Sequence, residues 1–186
     1  LNADMQAAGE ARLQADTAGA AGVDGIGSGR FMLVDHLGRL VTDETMRGRY
    51  QLLYFGYTFC PDVCPNTLQI MSLALDRLGD RAEQIQPYFI TIDPERDTPM
   101  VMRDYIENFD PRLIGVTGSK EMLEAISAQY KARYEKVLEA DTQPGLYLMD
   151  HSASLYLVAP DGRFLRKYVY GISAEQLATE LRDILP

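Results

Sequence analysis

The apolar run Gln51-Leu-Leu-Tyr-Phe-Gly-Tyr57 leads directly into Cys60, and a helix-period pattern leaves from Cys64. No other stretch limits the fold as much. A near-continuous apolar run suits a central strand buried on both faces. From Pro65 onward, Leu68, Met71, Leu75 and Leu78 recur at helical spacing, with Gly79 as the stop. Pro65 fits the first helical turn, where its missing N–H is not needed. A buried strand running into a helix is the heart of a βα unit. The turn between them carries both cysteines of the chain, at the carboxyl end of the strand, where open α/β sheets build their sites.

The flanking sequence extends this unit. Phe31 to Asp35 and Leu40 to Thr42 read as a hairpin turned at Gly38. A strand is expected from Tyr88 to Asp93, then a polar loop to Asp97. A helix follows, capped by Thr98 with Pro99 at its first position, and runs to about Phe109. Leu113 to Thr117 reads as a short strand. Ser119 caps a helix to about Lys131, with Met122, Ala125, Ile126 and Tyr130 on one side. Ala132 to Leu138 reads as a strand and Glu139 to Gly145 as a polar connector. Strands Ser154 to Ala159 and Phe164 to Tyr170 are joined by Pro160-Asp-Gly162. Ser173 caps a last helix to Leu185, with Leu177, Leu181 and Ile184 inward. Strands alternating with helices predict an α/β layered fold with a mixed sheet. Residues 1 to 28 are rich in Ala and Gly. They read as a flexible tail or linker, with a short helix from Met5 to Gln14. Residues 29–186 form the domain.

The chemistry concentrates on three residues. On a helical first turn Cys60 and Cys64 would stand at i and i+4, on one face. The positive end of the helix would lower their pKa values and raise their thiolate fraction. His151 falls in a second apolar stretch, Leu146 to Val158, with Asp150 before it and Ser152 and Ser154 after it. Two thiolates and one imidazole make a small, soft donor set that suits copper better than a hard cation. Structural zinc would need a fourth ligand, from Asp62, Asp93 or Asp150. An inert buried pair or a plain disulfide is the blander alternative. Asp150 could orient the imidazole or tune its basicity. His36, beside Gly38, reads as an exposed turn residue. The eight methionines read as packing residues, Met149 excepted for its nearness to His151. The loop Asp93 to Asp97 follows a strand end, so it is either part of the site's rim or simply a turn and helix cap.

Charge and length exclude other classes. The net charge of −9 makes the chain a poor nucleic-acid binder, because phosphate binding needs a basic face. No run of about 18 apolar residues is present to span a membrane, and no signal peptide is visible. A first residue of Leu rather than Met predicts a processed or truncated form. Two close cysteines in 186 residues are not a disulfide framework; they read as redox-active or metal-binding.

Three segments, Tyr54-Phe-Gly-Tyr-Thr-Phe-Cys60-Pro-Asp-Val-Cys64-Pro, Ile92-Asp93-Pro-Glu-Arg-Asp97-Thr-Pro and Asp150-His151-Ser, resemble the Sco/SenC family. The resemblance runs from about Phe31 to the C-terminus in order and spacing. It implies a thioredoxin-like fold with an added N-terminal β-hairpin. It implies one copper held by Cys60, Cys64 and His151, with Asp150 tuning the site. The implied role is a metallochaperone, not an enzyme, that helps assemble the dinuclear copper centre of cytochrome c oxidase subunit II. Another copper chaperone or a thioredoxin-like reductant would be a further partner. The implied location is extracytoplasmic, in a bacterial periplasm, tethered to the inner membrane by an N-terminal anchor missing from this chain.

Two alternatives stay open. One is a thiol-disulfide oxidoreductase that reduces the cysteines of that copper site, with Cys60 attacking and Cys64 resolving, or the reverse. The other is a peroxidase-like or redox-sensing domain. Thioredoxin-type reductases place a cis-proline opposite the cysteine pair; the resemblance puts Asp150-His151-Ser152 there, and the nearest preceding proline is Pro144. A histidine at that point makes sense as a ligand.

Overall fold

The computed structural model describes residues 29–132, 134–137, 148–151 and 153–186, without the side chains of 136, 137 and 148–151. The expected tail, residues 1–28, and the whole of the expected connector, Glu139 to Gly145, lie outside the described residues.

Chain order is β1 (Met32–Asp35), β2 (Leu40–Thr42), β3 (Tyr50–Gly56), α1 (Val63–Leu78), a 3-10 turn (Gly79–Gln84), β4 (Ile85–Thr91), α2 (Pro99–Ile106), β5 (Ile114–Thr117), α3 (Lys120–Gln129), β6 (Tyr134–Val137), β7 (Leu148–His151), β8 (Leu155–Val158), β9 (Phe164–Tyr168) and α4 (Ala174–Ile184). The main sheet has the order β2-β1-β5-β4-β3-β8-β9. Its centre, β3-β4-β5, is parallel, and both sides are closed by antiparallel hairpins. This is the mixed sheet the sequence predicts, with the N-terminal hairpin added on one side.

β3 and β4 are buried almost throughout, as the apolar run requires. Two glutamines interrupt them and are satisfied. Gln51 Nε2 donates to the Met46 carbonyl at 2.6 Å. Gln86 accepts from Arg49 at 2.5 Å and donates to the Arg112 carbonyl at 2.6 Å. β4 begins at Ile85, three residues before the expected Tyr88. Pro87 conceals this start. It lies ahead of Tyr88, where β5 joins, so β4 there is paired with β3 alone, an edge-like place that proline tolerates.

α1 stops at Gly79, whose φ of +58° ends the helix. α1 packs against α4, and α2 against β5. α4 carries a full capping box between Ser173 and Gln176, with Leu177 and Leu181 buried. Two expectations about helices fail. α2 ends at Ile106, not near Phe109. α3 buries Leu123, Ile126 and Ser127 with Tyr130 behind them, while Met122 and Ala125 are exposed. Ser127 can be buried because its hydroxyl donates to the Leu123 carbonyl at 2.7 Å. Met46, Met71 and Met102 are core residues, but Met32, Met100 and Met122 are exposed. Among the described residues β6 and β7 pair only with each other, in a separate two-stranded sheet. Among the described residues no helix is long and apolar enough to cross a membrane.

Candidate metal centre

Cys60 and Cys64 lie where β3 gives way to α1, as the sequence predicts, but not on one helical face. Cys60 precedes the helix, in the turn closed by its own N–H to the Tyr57 carbonyl at 3.3 Å. Cys64 is the second residue of α1. Its N–H donates to Cys60 Sγ at 3.3 Å. Asp62, at the cap, makes no side-chain capping bond, so the Cys60 sulfur serves one of the first-turn N–H groups instead. That contact ties sulfur position to helix formation. The two cysteines are not joined in a disulfide.

The Cys64 side chain turns back under the sheet and is fully buried, whereas Cys60 is at the margin of exposure, at 9%. Gly56 makes this possible. A Cβ there would stand 2.8 Å from Cys64 Sγ and 2.7 Å from the Phe89 ring. The sulfur therefore rests over the last residue of β3, and the Tyr54 hydroxyl donates to it at 3.4 Å. Burial pushes the Cys64 thiol far above its ordinary value; hydrogen bonding with Cys60 adds to this, and the bonds from Tyr54 and the Tyr57 backbone oppose it. The expected lowering by the helix end is thus overturned for Cys64, because desolvation outweighs a half-charge dipole. A soft cation would have to displace the proton from that sulfur on binding.

The loop from Asp93 to Asp97 is more than a turn and cap, because it contacts the residues that lead into Cys60. Asp97 is fully buried. It accepts from the Thr58 N–H at 3.0 Å, the Thr58 hydroxyl at 2.5 Å and the Thr91 hydroxyl at 2.6 Å. The Thr117 hydroxyl donates to its carbonyl at 2.8 Å. Burial raises the Asp97 carboxyl above the ordinary carboxylate range, although the threonine bonds oppose it. Arg96 pairs with buried Asp93 at 2.5 Å and lays its guanidinium over the Phe59 ring at 4.5 Å. The loop thus grips residues 57–59, directly ahead of Cys60. Of these groups, the Asp-Pro-Glu-Arg-Asp string and the segment Tyr54 to Cys60 stand out in the sequence as motif segments, without individual roles for Tyr54, Gly56 or Thr58. Tyr54 and Gly56 read there as members of an apolar strand.

The backbone of His151 lies in β7, paired with Tyr134, and that of Asp150 is paired with Glu135. Their side chains lie outside the described residues. Among the described residues no group of three or more His, Cys, Asp or Glu is placed to hold a metal ion. Of the carboxylates a zinc site would need, exposed Asp62 accepts from Asn66 at 2.8 Å, and Asp93 is the partner of Arg96. His36 is half-buried rather than an exposed turn residue. Its N–H donates to the Gly115 carbonyl at 2.8 Å, and its Nδ1 accepts from the Gly115 N–H at 3.3 Å, which fastens β1 to β5.

Fold and site together define a thioredoxin-like domain with a cysteine pair at the end of its central parallel strand. The SCO1/SenC family model matches residues 21–186, and the chain belongs to that family. It is 41% identical over 159 residues to the mitochondrial SCO2 homolog of Bos taurus, covering 84% of this chain and 59% of that one. The chain therefore spans about three fifths of that relative's length. Two solved structures with copper bound are similar. ScoI of Arabidopsis thaliana is 36% identical with a TM-score of 0.78, covering 85% of this chain and 96% of that one. ScoI of Bradyrhizobium japonicum is 39% identical with a TM-score of 0.76, covering 84% and 98%.

Proposed function

We propose that this protein is a copper metallochaperone that binds one copper through Cys60, Cys64 and His151 and passes it to subunit II of cytochrome c oxidase. The observation that carries the reading is the cysteine pair at the end of β3, where the Cys64 N–H donates to Cys60 Sγ at 3.3 Å and Cys64 is sealed while Cys60 keeps 9% exposure. Two soft donors on one strand-to-helix turn fit copper, which accepts few ligands. The copper-bound relatives at 36% and 39% identity support the same cargo. In this reading β7 brings His151 to the pair as the third ligand, and Asp150 tunes its ring. Cys64 anchors the ion in the wall, while Cys60, at the margin, leaves it open to an incoming thiolate. Exchange through shared ligands then avoids release of free ion. The site works on the extracytoplasmic side of a membrane, where the target subunit presents its copper site.

Titration of the reduced protein with Cu(II) tests this. One equivalent should develop a thiolate-to-copper charge-transfer band that Cys60→Ala, Cys64→Ala and His151→Ala each lose. Unchanged affinity and spectrum in His151→Ala would remove the histidine from the site.

The closeness of the two cysteines, with the Cys64 N–H on Cys60 Sγ, also favours a second reading, reduction of the disulfide of the target's copper site. Both roles need the same reduced pair. A metal-free protein that reduces the target disulfide but never transfers copper would select the second.

A further inference from the structure

Tyr54 stands in the middle of β3 and is fully buried. Its ring stacks on Phe89, with centroids 6.0 Å apart and planes 17° apart. A phenylalanine would pack there equally well, as Phe55 and Phe89 do nearby. A buried hydroxyl is unfavourable unless it is partnered. Here its partner is Cys64 Sγ at 3.4 Å, and the Thr67 side chain also hydrogen-bonds it. Tyr105 makes the contrast. Its ring lies against the same Phe89 at 5.5 Å, yet its buried hydroxyl meets no partner among the described residues. Of these two tyrosine hydroxyls, among the described residues only that of Tyr54 is bonded to a cysteine sulfur.

We propose that Tyr54 is a positioning residue of the cysteine site: its hydroxyl holds the Cys64 sulfur over Gly56 and draws electron density from it. A hydrogen bond to sulfur favours the reduced dithiol, because a disulfide sulfur is a poorer acceptor. It also lowers the energy of the sulfur electrons that a bound metal shares. The proposal rests on the reading above only in taking the cysteine pair as the working groups.

The test compares wild type, Tyr54→Phe and Tyr105→Phe. In the metal-free arm each protein is equilibrated with glutathione and glutathione disulfide. There, two cysteine thiols become one disulfide as one glutathione disulfide becomes two glutathione molecules. Loss of one ordinary hydrogen bond should shift this equilibrium about fivefold toward the protein disulfide in Tyr54→Phe. Tyr105→Phe should match wild type. In the loaded arm the charge-transfer band of the Cu(II) protein should move to lower energy in Tyr54→Phe alone. An unchanged glutathione equilibrium in folded Tyr54→Phe, or an equal shift in Tyr105→Phe, overturns the proposal. If Tyr54→Phe does not fold, the Cζ resonance of Tyr54 in labelled protein decides. It should move on Cys64→Ala, and a resonance that stays put overturns the proposal. A fivefold shift in a protein that binds no copper would sink the copper reading and leave this one standing.

Discussion

Asp97→Ala should destabilise the domain and loosen the cysteine turn, although residue 97 touches neither sulfur. The carboxylate serves three donors, the Thr58 N–H, the Thr58 hydroxyl and the Thr91 hydroxyl. The hydroxyls can rotate to other acceptors, but the Thr58 amide cannot. A buried donor left without an acceptor costs about 1–3 kcal/mol, and the small cavity adds to this. A total near 3 kcal/mol lowers the melting temperature of a domain this size by about 6–12 °C. Asp97→Asn should lose less than about 1 kcal/mol. Its carbonyl can accept from the Thr58 amide and the Thr91 hydroxyl, and its amide can donate to the Thr58 hydroxyl. The two also differ in pH dependence. Burial raises the carboxyl in the folded state, so the neutral form is the one the fold favours. Relative to Asp97→Asn, wild type should be most stable below the ordinary carboxylate value of about 4 and lose ground as pH rises through the elevated folded value. Thermal unfolding in reducing buffer across this range, with hydrogen exchange at the Thr58 amide, reads both effects. An alanine variant that melts within about 2 °C of wild type and keeps Thr58 protected would refute the clamp.

Gly56→Ala should displace Cys64, because the new Cβ would stand 2.8 Å from its sulfur and 2.7 Å from the Phe89 ring. A loss of about 1–3 kcal/mol by unfolding, together with a weakened copper band, is expected. Mild oxidation should join Cys60 to Cys64, and alkylation with mass analysis should then find no thiol; two thiols remaining would contradict it. Asp150→Ala should keep the fold but weaken Cu(II) binding about 10–100-fold, measured by competition with a chelator.

The strand-to-helix junction was legible because apolar run length, Pro65 and Gly79 all agree there. The start of β4 was hidden by Gln86 and Pro87, whose polarity and ring are accommodated only by particular neighbours. The thiol shift of Cys64 could not be read from a helix end alone. It depends on burial, and burial depends on Gly56 lacking a side chain. The inward face of α3 was misread because Ser127 is polar in composition but bonded within its own helix. The string from Asp93 to Asp97 was visible as a motif, but its grip on Thr58 spans 39 residues of sequence. Strand β7 is hard to read in the sequence because it is only four residues long and, among the described residues, pairs only with β6.

Copper transfer tests the central claim most directly. Copper-loaded protein is mixed with a metal-free, already reduced soluble fragment of oxidase subunit II, and the absorption of the dinuclear centre is followed. The account predicts that the absorption grows as the donor's charge-transfer band decays, without free ion appearing in a chelator trap. No growth, with metal-free reduced protein instead reducing the oxidised fragment's disulfide, would contradict it.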